Sequence, residues 1–516
     1  MRRPSCRARS RPRAEGWLPA ALGLLVGLAV LGPALRVGSP PTYLLRYDLL
    51  FVPRFHRLLD EIGHGELWNH APLLLALEAA TATGRGALVE RLVLVAIPAL
   101  AFWTAARACA GAGLPGALAA GALYAANPVV YERLAAGEWT FLLGYALAPL
   151  VWRRSFDWVV GPGKEPAAGC RLPAEERQQQ QYSGREGWRA GAAAVGWWLA
   201  ATLFSAHHAI LLGVLLALGL PAAAMGTPGG WRRLATLGAA DAAAVAWWAL
   251  PGLAAGGAPP IGAGDFLAFA PAPIPWLGTG ATTLGLYGFW RGGVGQALPW
   301  ERTGWVALYG LLLALVAAGI ADGLVRGRGR DRRQLVGLAL AGLVAFVLAY
   351  GPAPPFAPVD TALFLHLPGF RALRESGKWT SLLPLLYAAA FARLPGLAAR
   401  APRRPRPVPV AAGAALALAL FVVAYSPSLW WGLGGQWRPV AYPPAYARAE
   451  ALTRADPRPG LILPLPWDRY VAPAFGSGVV LNPARDFFTR PVLLTDDPGL
   501  PGVPSSDPRR PAIDRL

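Results

Sequence analysis

Four short stretches of this chain carry side chains that can do chemistry. The first ends in Tyr43-Leu-Leu-Arg-Tyr-Asp48. A carboxylate at Asp48, partly withdrawn from water, can accept the proton of an attacking hydroxyl. The plainer role is a solvated loop aspartate or a helix cap. The second reads Asn127-Pro-Val-Val-Tyr-Glu132-Arg133-Leu-Ala-Ala-Gly137-Glu138-Trp139. Asn-Pro predicts a helix break, Glu132 and Arg133 can pair, and Glu138 can be the first-turn acid of the next helix. Set near Asp48, the two glutamates can instead hold a divalent cation or position an acceptor.

The third stretch is His207-His208. Adjacent imidazoles diverge and rarely share one metal, but either can bond a sugar or phosphate, or simply sit in a polar turn. The fourth reads Leu367-Pro-Gly-Phe370-Arg371-Ala-Leu-Arg374-Glu375-Ser376-Gly377-Lys378-Trp379. The spacing i, i+3, i+7 puts Arg371, Arg374 and Lys378 on one face of a helix. Two guanidiniums and an ammonium suit a phosphate or pyrophosphate. The alternative is a set of snorkelling anchors beside an interfacial tryptophan. Arg133 and Glu375 complete the substrate-binding candidates.

These residues must be positioned by membrane helices. The chain has 516 residues, 54% hydrophobic and 15% charged, with mean hydropathy +0.38. A soluble protein carries roughly 25% charged residues. Apolar runs of membrane-spanning length recur, which excludes a soluble enzyme, a disordered chain and a disulfide-stapled secreted domain. Eleven spans are predicted, at 17–37, 88–107, 114–128, 139–152, 190–206, 209–225, 234–253, 303–322, 334–351, 379–396 and 408–426. The predicted fold class is an all-α polytopic membrane protein with a small extracytoplasmic C-terminal α/β segment.

The net charge is +19, and all but two of its 48 basic residues are arginines. More than half of them fall on alternate connections, the basic tail 1–16 and the linker 153–189 included. By the positive-inside rule this sets the N-terminus in the cytoplasm and the C-terminus outside, in a plasma membrane. The excess charge then reads as topology and contact with anionic membrane lipids, not nucleic-acid binding. Cys6, Cys109 and Cys170 have no motif spacing, so neither a zinc site nor a structural disulfide is expected. The transmembrane domain is 17–426, with long outer loops at 39–87, 254–302 and 352–378. The segment 427–516 forms the outer C-terminal part, its end expected to be disordered. Within the first loop, 51–62 has amphipathic helical spacing and is expected to lie flat at the interface. Leu461-Ile-Leu-Pro-Leu465 predicts a short strand. Asp241 and Asp322 are read as lying within about two turns of the inner boundary.

The chemistry-bearing residues thus gather on the outer face, whereas a solute carrier needs polar groups near the midplane. One span, a long outer loop with an early acid, an amphipathic helix followed by Gly65-Glu-Leu-Trp-Asn69, many further helices and an outer C-terminal part occur in order. In this order the chain resembles the GT-C superfamily of membrane glycosyltransferases. It is nearest to YfhO-like and arabinofuranosyltransferase-like membrane proteins, to which the 127–150 stretch and Phe370–Trp379 are similar. The resemblance covers roughly 17–425 and is stronger as architecture than as sequence. It implies a polyprenyl-phosphate-linked sugar donor and an extracytoplasmic glycan, lipid or protein acceptor. It also implies Asp48 as base, Glu132 or Glu138 as second acid, and Arg371, Arg374 and Lys378 at the donor phosphate. Asp48 stands alone, without the adjacent acid of the mannosyltransferase branch, and the tail carries no clear carbohydrate-binding sandwich. A lipid-linked sugar flippase or a non-catalytic envelope assembly protein are the rival expectations.

Overall fold

The computed structural model describes residues 14–56, 68–161, 184–254, 261–291, 301–327, 329–367, 369–400 and 407–495. Further on it describes 497, 499–500, 503, 507, 509–513 and 515. These residues are mostly helical, with a single two-stranded sheet among them. Among the described residues, six helices are long and apolar enough to cross a membrane, or up to seven if the bent pair Pro409–Tyr425 and Pro427–Gly435 is one span. This is the make-up of an all-α, multi-pass membrane protein. Helix also occupies the other predicted segments. Gly113–Ala125 is short, and Trp139–Val160 carries Arg153, Arg154 and Asp157 in its last turns.

The core is built around Trp139–Val160, which packs on Gly86–Ala108, Gly184–Phe204 and His207–Ala224. Small residues set the closest approach. A Cβ on Gly337 would run into the Gly219 carbonyl, so His207–Ala224 and Gly329–Leu348 meet backbone to backbone, the device that replaces hydrophobic driving force in lipid. The Asn-Pro break is present. Asn127 caps Pro128–Ala135, its Oδ1 accepting from Val129 N (3.0 Å) and Val130 N (3.4 Å). Its Nδ2 donates to the carbonyls of Leu123 and Tyr124 and to the Tyr145 hydroxyl. That amide satisfies backbone groups that the break would otherwise leave bare.

At the far end of the helices the arginines are neutralised in clusters. Asp322 accepts from Arg326 (3.0 Å), Arg393 (3.1 Å) and Arg400 (3.1 Å). Asp157 pairs with Arg153 and Arg330. Asp322 lies in the last turns of Trp305–Arg326. The helix Gly230–Ala254 begins before the predicted span, so Asp241 sits midway along it, about 16 Å from its start at 1.5 Å per residue.

Two expectations change. Residues 51–56 are not helical. Pro53 biases Val52 towards extended backbone, and the segment instead buries Phe51, Val52 and Phe55 while Phe55 N donates to Thr81 Oγ1. The rest of the predicted amphipathic helix lies outside the described residues. The Leu461–Leu465 run forms one parallel bridge, Ile462 to Val492. Pro464 has no N–H to extend that ladder. The sheet pairs Tyr470–Val471 with Val480–Leu481.

Candidate functional site

Asp48 occupies a tight turn. Arg46 N donates to Leu49 O (3.0 Å) and Leu49 N to Arg46 O (2.8 Å), leaving Tyr47 and Asp48 at the corner. Tyr47 has φ 45°, a conformation unusual outside glycine. Three contacts fix this turn. Glu90 accepts from Leu44 N through both oxygens (3.1 Å each), backed by its neighbour Arg91, which reaches Ala34 O and Thr42 O. Asp48 N donates to Ala136 O (3.2 Å) across Gly137. Gly137 has φ 78°, and a Cβ there would lie 2.6 Å from Arg46 O, so only glycine lets the two loops touch. On the third side the C-terminal hairpin docks: Tyr47 N donates to Val479 O and Leu481 N to Tyr47 O, both at 2.8 Å.

That hairpin brings the Tyr470 hydroxyl to Asp48 Oδ1 at 2.6 Å. Asp48 is exposed to water yet hemmed in by protein on most sides. This enclosure pushes its carboxyl above the ordinary value, against the pull of Tyr470, Arg469 and Lys378, while Glu375 adds to the rise.

Behind Asp48 lies a buried ion cluster centred on Arg133. Its Nη1 donates to Glu138 Oε1 (2.8 Å) and to Glu375 Oε1. Its guanidinium lies over the rings of Phe141 (5.2 Å) and Phe289 (4.8 Å). Lys378 Nζ is 3.1 Å from Glu375 Oε2 and 3.4 Å from His207 Nε2, and His207 Nδ1 is 3.1 Å from Ser205 Oγ. An ammonium only donates. His207 Nε2 is therefore the acceptor, and its ring proton points to Ser205. Burial pushes Glu138 up to about 6, Arg133 and Lys378 opposing and Glu375 and Asp48 reinforcing. Burial raises Glu375 too, but Arg133 and Lys378 outweigh it and hold it below the ordinary value. Glu138 Oε2 is buried and has no hydrogen-bond partner among the described residues.

The stretch holding the three cations is not one helix. Phe370–Leu373 and Ser376–Leu382 are separate 3₁₀ turns, entered through Gly369 at φ 82° and divided at Arg374 and Glu375. The single face predicted from i, i+3, i+7 spacing does not form, because that spacing presumes 3.6 residues per turn. Arg371 bends back to the end of Ala357–His366, donating to Phe364 O (3.2 Å) and Leu365 O (3.5 Å). Arg374 lies 3.7 Å from Asp265 and over the Phe269 ring (4.8 Å), and it feels the charge of Arg469. Lys378 alone enters the Arg133 cluster.

Glu132 does not pair with Arg133, whose guanidinium turns to Glu138 and Glu375 instead. Its oxygens accept from Gly288 N (3.4 Å) and Phe289 N (3.2 Å). Burial pushes it up to about 8 against Arg133 and those two N–H groups. Glu132 thus staples the 261–291 segment, including Phe289, to the site. His208 is buried, its ring 4.7 Å from that of Phe141, over which Lys378 Nζ also lies. The carboxylates expected to hold a divalent cation are committed to Arg133, Lys378, Tyr470 or backbone N–H. Among the described residues, no three or more His, Cys, Asp or Glu side chains group as a metal site.

The structure therefore unites Asp48, Arg133, Glu138, His207, Glu375 and Lys378, with Arg374 at the rim. Sequence reasoning did not find Tyr470, Arg469 or Asp265. They reach the site through tertiary contacts and have no local spacing signal. In comparison with known proteins, the chain matches no family model and no curated sequence.

Proposed function

We infer that the chain is a GT-C-type membrane glycosyltransferase with eleven spans and its site on the outer face of the plasma membrane. It takes a sugar from a polyprenyl-phosphate donor to an extracytoplasmic acceptor. The observation that supports this reading is a water-exposed carboxylate at Asp48 that feels the charge of Lys378, with Arg374 near the same Glu375 and Tyr470. Such a transfer needs a base on the acceptor and a charge clamp on the departing phosphate.

The acceptor oxygen attacks the anomeric carbon, the anomeric C–O bond to phosphate breaks, and its electron pair leaves on the phosphate oxygen. The acceptor proton goes to Asp48. Lys378 and Arg374 stabilise the charge gained by the phosphate. The unpartnered Glu138 Oε2 offers an acceptor for a sugar hydroxyl. Arg133 holds the acids in place, and Arg371 has no part in the reaction.

A lipid-linked sugar flippase is the second reading. It is favoured by Asp241, buried midway along its helix with Oδ1 unpartnered among the described residues, since such a residue marks a pathway by default. Purified protein in lipid, given a panel of radiolabelled polyprenyl-phosphate sugars, separates the two. The enzyme reading expects transfer by the wild type and none by Asp48→Asn. Donor translocation without transfer, abolished in Asp241→Asn, would favour the flippase.

A further inference from the structure

Building on the reading of Asp48 as proton acceptor, we propose that the C-terminal hairpin completes the site, with Tyr470 as the positioning residue for Asp48 and Arg469 as the cation beside it. The contact is the hydroxyl-to-Oδ1 hydrogen bond of 2.6 Å between residues 422 apart in sequence, in the short range of charge-assisted bonds. It is the one hydrogen bond to the Asp48 carboxylate among the described residues, and it leaves Oδ2 for the acceptor hydroxyl.

The hairpin is built to deliver it. Tyr470 pairs with Leu481 and Val471 with Val480, and Val480 bridges in parallel to Tyr47, the neighbour of Asp48. Asn482 locks the turn of chain before Tyr470, its N donating to Arg469 O (2.8 Å) and its Nδ2 to Asp468 O (3.1 Å). Rings of Tyr43, Tyr442, Tyr446, Phe475 and Phe487 clamp the same segment to the first loop. The Tyr442 hydroxyl adds a bond to Phe51 O at 3.0 Å. Asp48 and its donor are thereby held from both ends of the chain. The charged groups that face Asp48 are Arg469 from the hairpin, Lys378 and Glu375 from the 3₁₀ stretch, and Glu138 from before the Trp139 helix.

The test uses the full chain in detergent and reads Asp48 protonation directly, by carbodiimide amidation across a pH series and peptide mass spectrometry. A hydrogen bond to a carboxylate favours its ionised form. Tyr470→Phe is therefore expected to move the amidation midpoint of Asp48 upward by about one pH unit. Arg469→Gln, a change at an exposed side chain that tolerates substitution, is expected to move it the same way by less. The acid limb of sugar transfer should shift with the amidation midpoint in both variants. An unchanged midpoint in both would overturn the proposal, as would a shifted midpoint with an unmoved acid limb. No transfer by the wild type would instead refute the glycosyltransferase reading, and the amidation midpoints would still decide whether the hairpin controls Asp48.

Discussion

Arg133 is the hub of the site, and replacing it by methionine tests the arrangement most severely. The variant keeps the aliphatic stem but removes the guanidinium, so Glu138 loses its cation and Glu375 keeps only Lys378, both carboxylates being nearly buried. Removing one partner of a buried ion pair costs about 3–5 kcal/mol. Across 516 residues, at about 2.1 cal/mol/K of unfolding entropy per residue, that loss lowers the melting temperature by about 3–5 °C. The loss of the guanidinium from the Phe141 and Phe289 rings acts in the same direction.

The pH dependence gives the sign. In the wild type Glu375 lies below its ordinary value, so its contribution is present above that value and lost as pH falls through the depressed one. Without Arg133 both carboxyls rise, and a raised carboxyl costs stability as pH climbs through the interval above its ordinary value. The deficit of Arg133→Met should therefore be largest near about pH 7.5 and narrow near about pH 5.5. Thermal unfolding in detergent, followed by tryptophan fluorescence, reads both. Equal melting of variant and wild type at the two pH values would refute the claim that this cluster holds the site together.

Three further outcomes follow from the geometry. Gly137→Ala places a side chain at φ 78° against the Asp48 loop, so transfer should fall about a hundredfold through misplacement of the base while donor binding persists; unchanged transfer would contradict the loop contact. Lys378→Met should weaken binding of a polyprenyl-phosphate sugar about tenfold or more, for loss of a charge-assisted bond, whereas Arg371→Gln should bind as the wild type does; the reverse order, read by equilibrium binding in nanodiscs, would put the phosphate elsewhere. Glu132→Ala bares the N–H groups of Gly288 and Phe289 and should cost about 1–3 kcal/mol, and Glu132→Gln, which still accepts, should recover much of it; equal melting of the two variants would contradict the staple.

The parts legible in the sequence were those set by local rules. Asn127-Pro announced the helix break. The apolar runs announced the membrane helices. What was not legible depends on distant contacts or on local geometry that overrides periodicity. Arg133 sits beside Glu132, yet its partners are Glu138 and Glu375, the latter 242 residues away. Arg371, Arg374 and Lys378 have helical spacing, but Gly369 and the 3₁₀ turns send them to three different places. The hydrophobic spacing from Phe51 reads as amphipathic helix, yet Pro53 and burial against Thr81 draw residues 51–56 into extended chain. Tyr470 stands in a strand of two residues, too short for any periodicity to mark.

The most direct measurement is the position of the donor. Cryo-electron microscopy of the full chain in nanodiscs, saturated with a non-transferable polyprenyl-phosphonate sugar, should show the phosphonate between Lys378 and Arg374 and the sugar facing Asp48. Phosphonate density between the helices near Asp241, with the Asp48 site holding only water, would contradict the account.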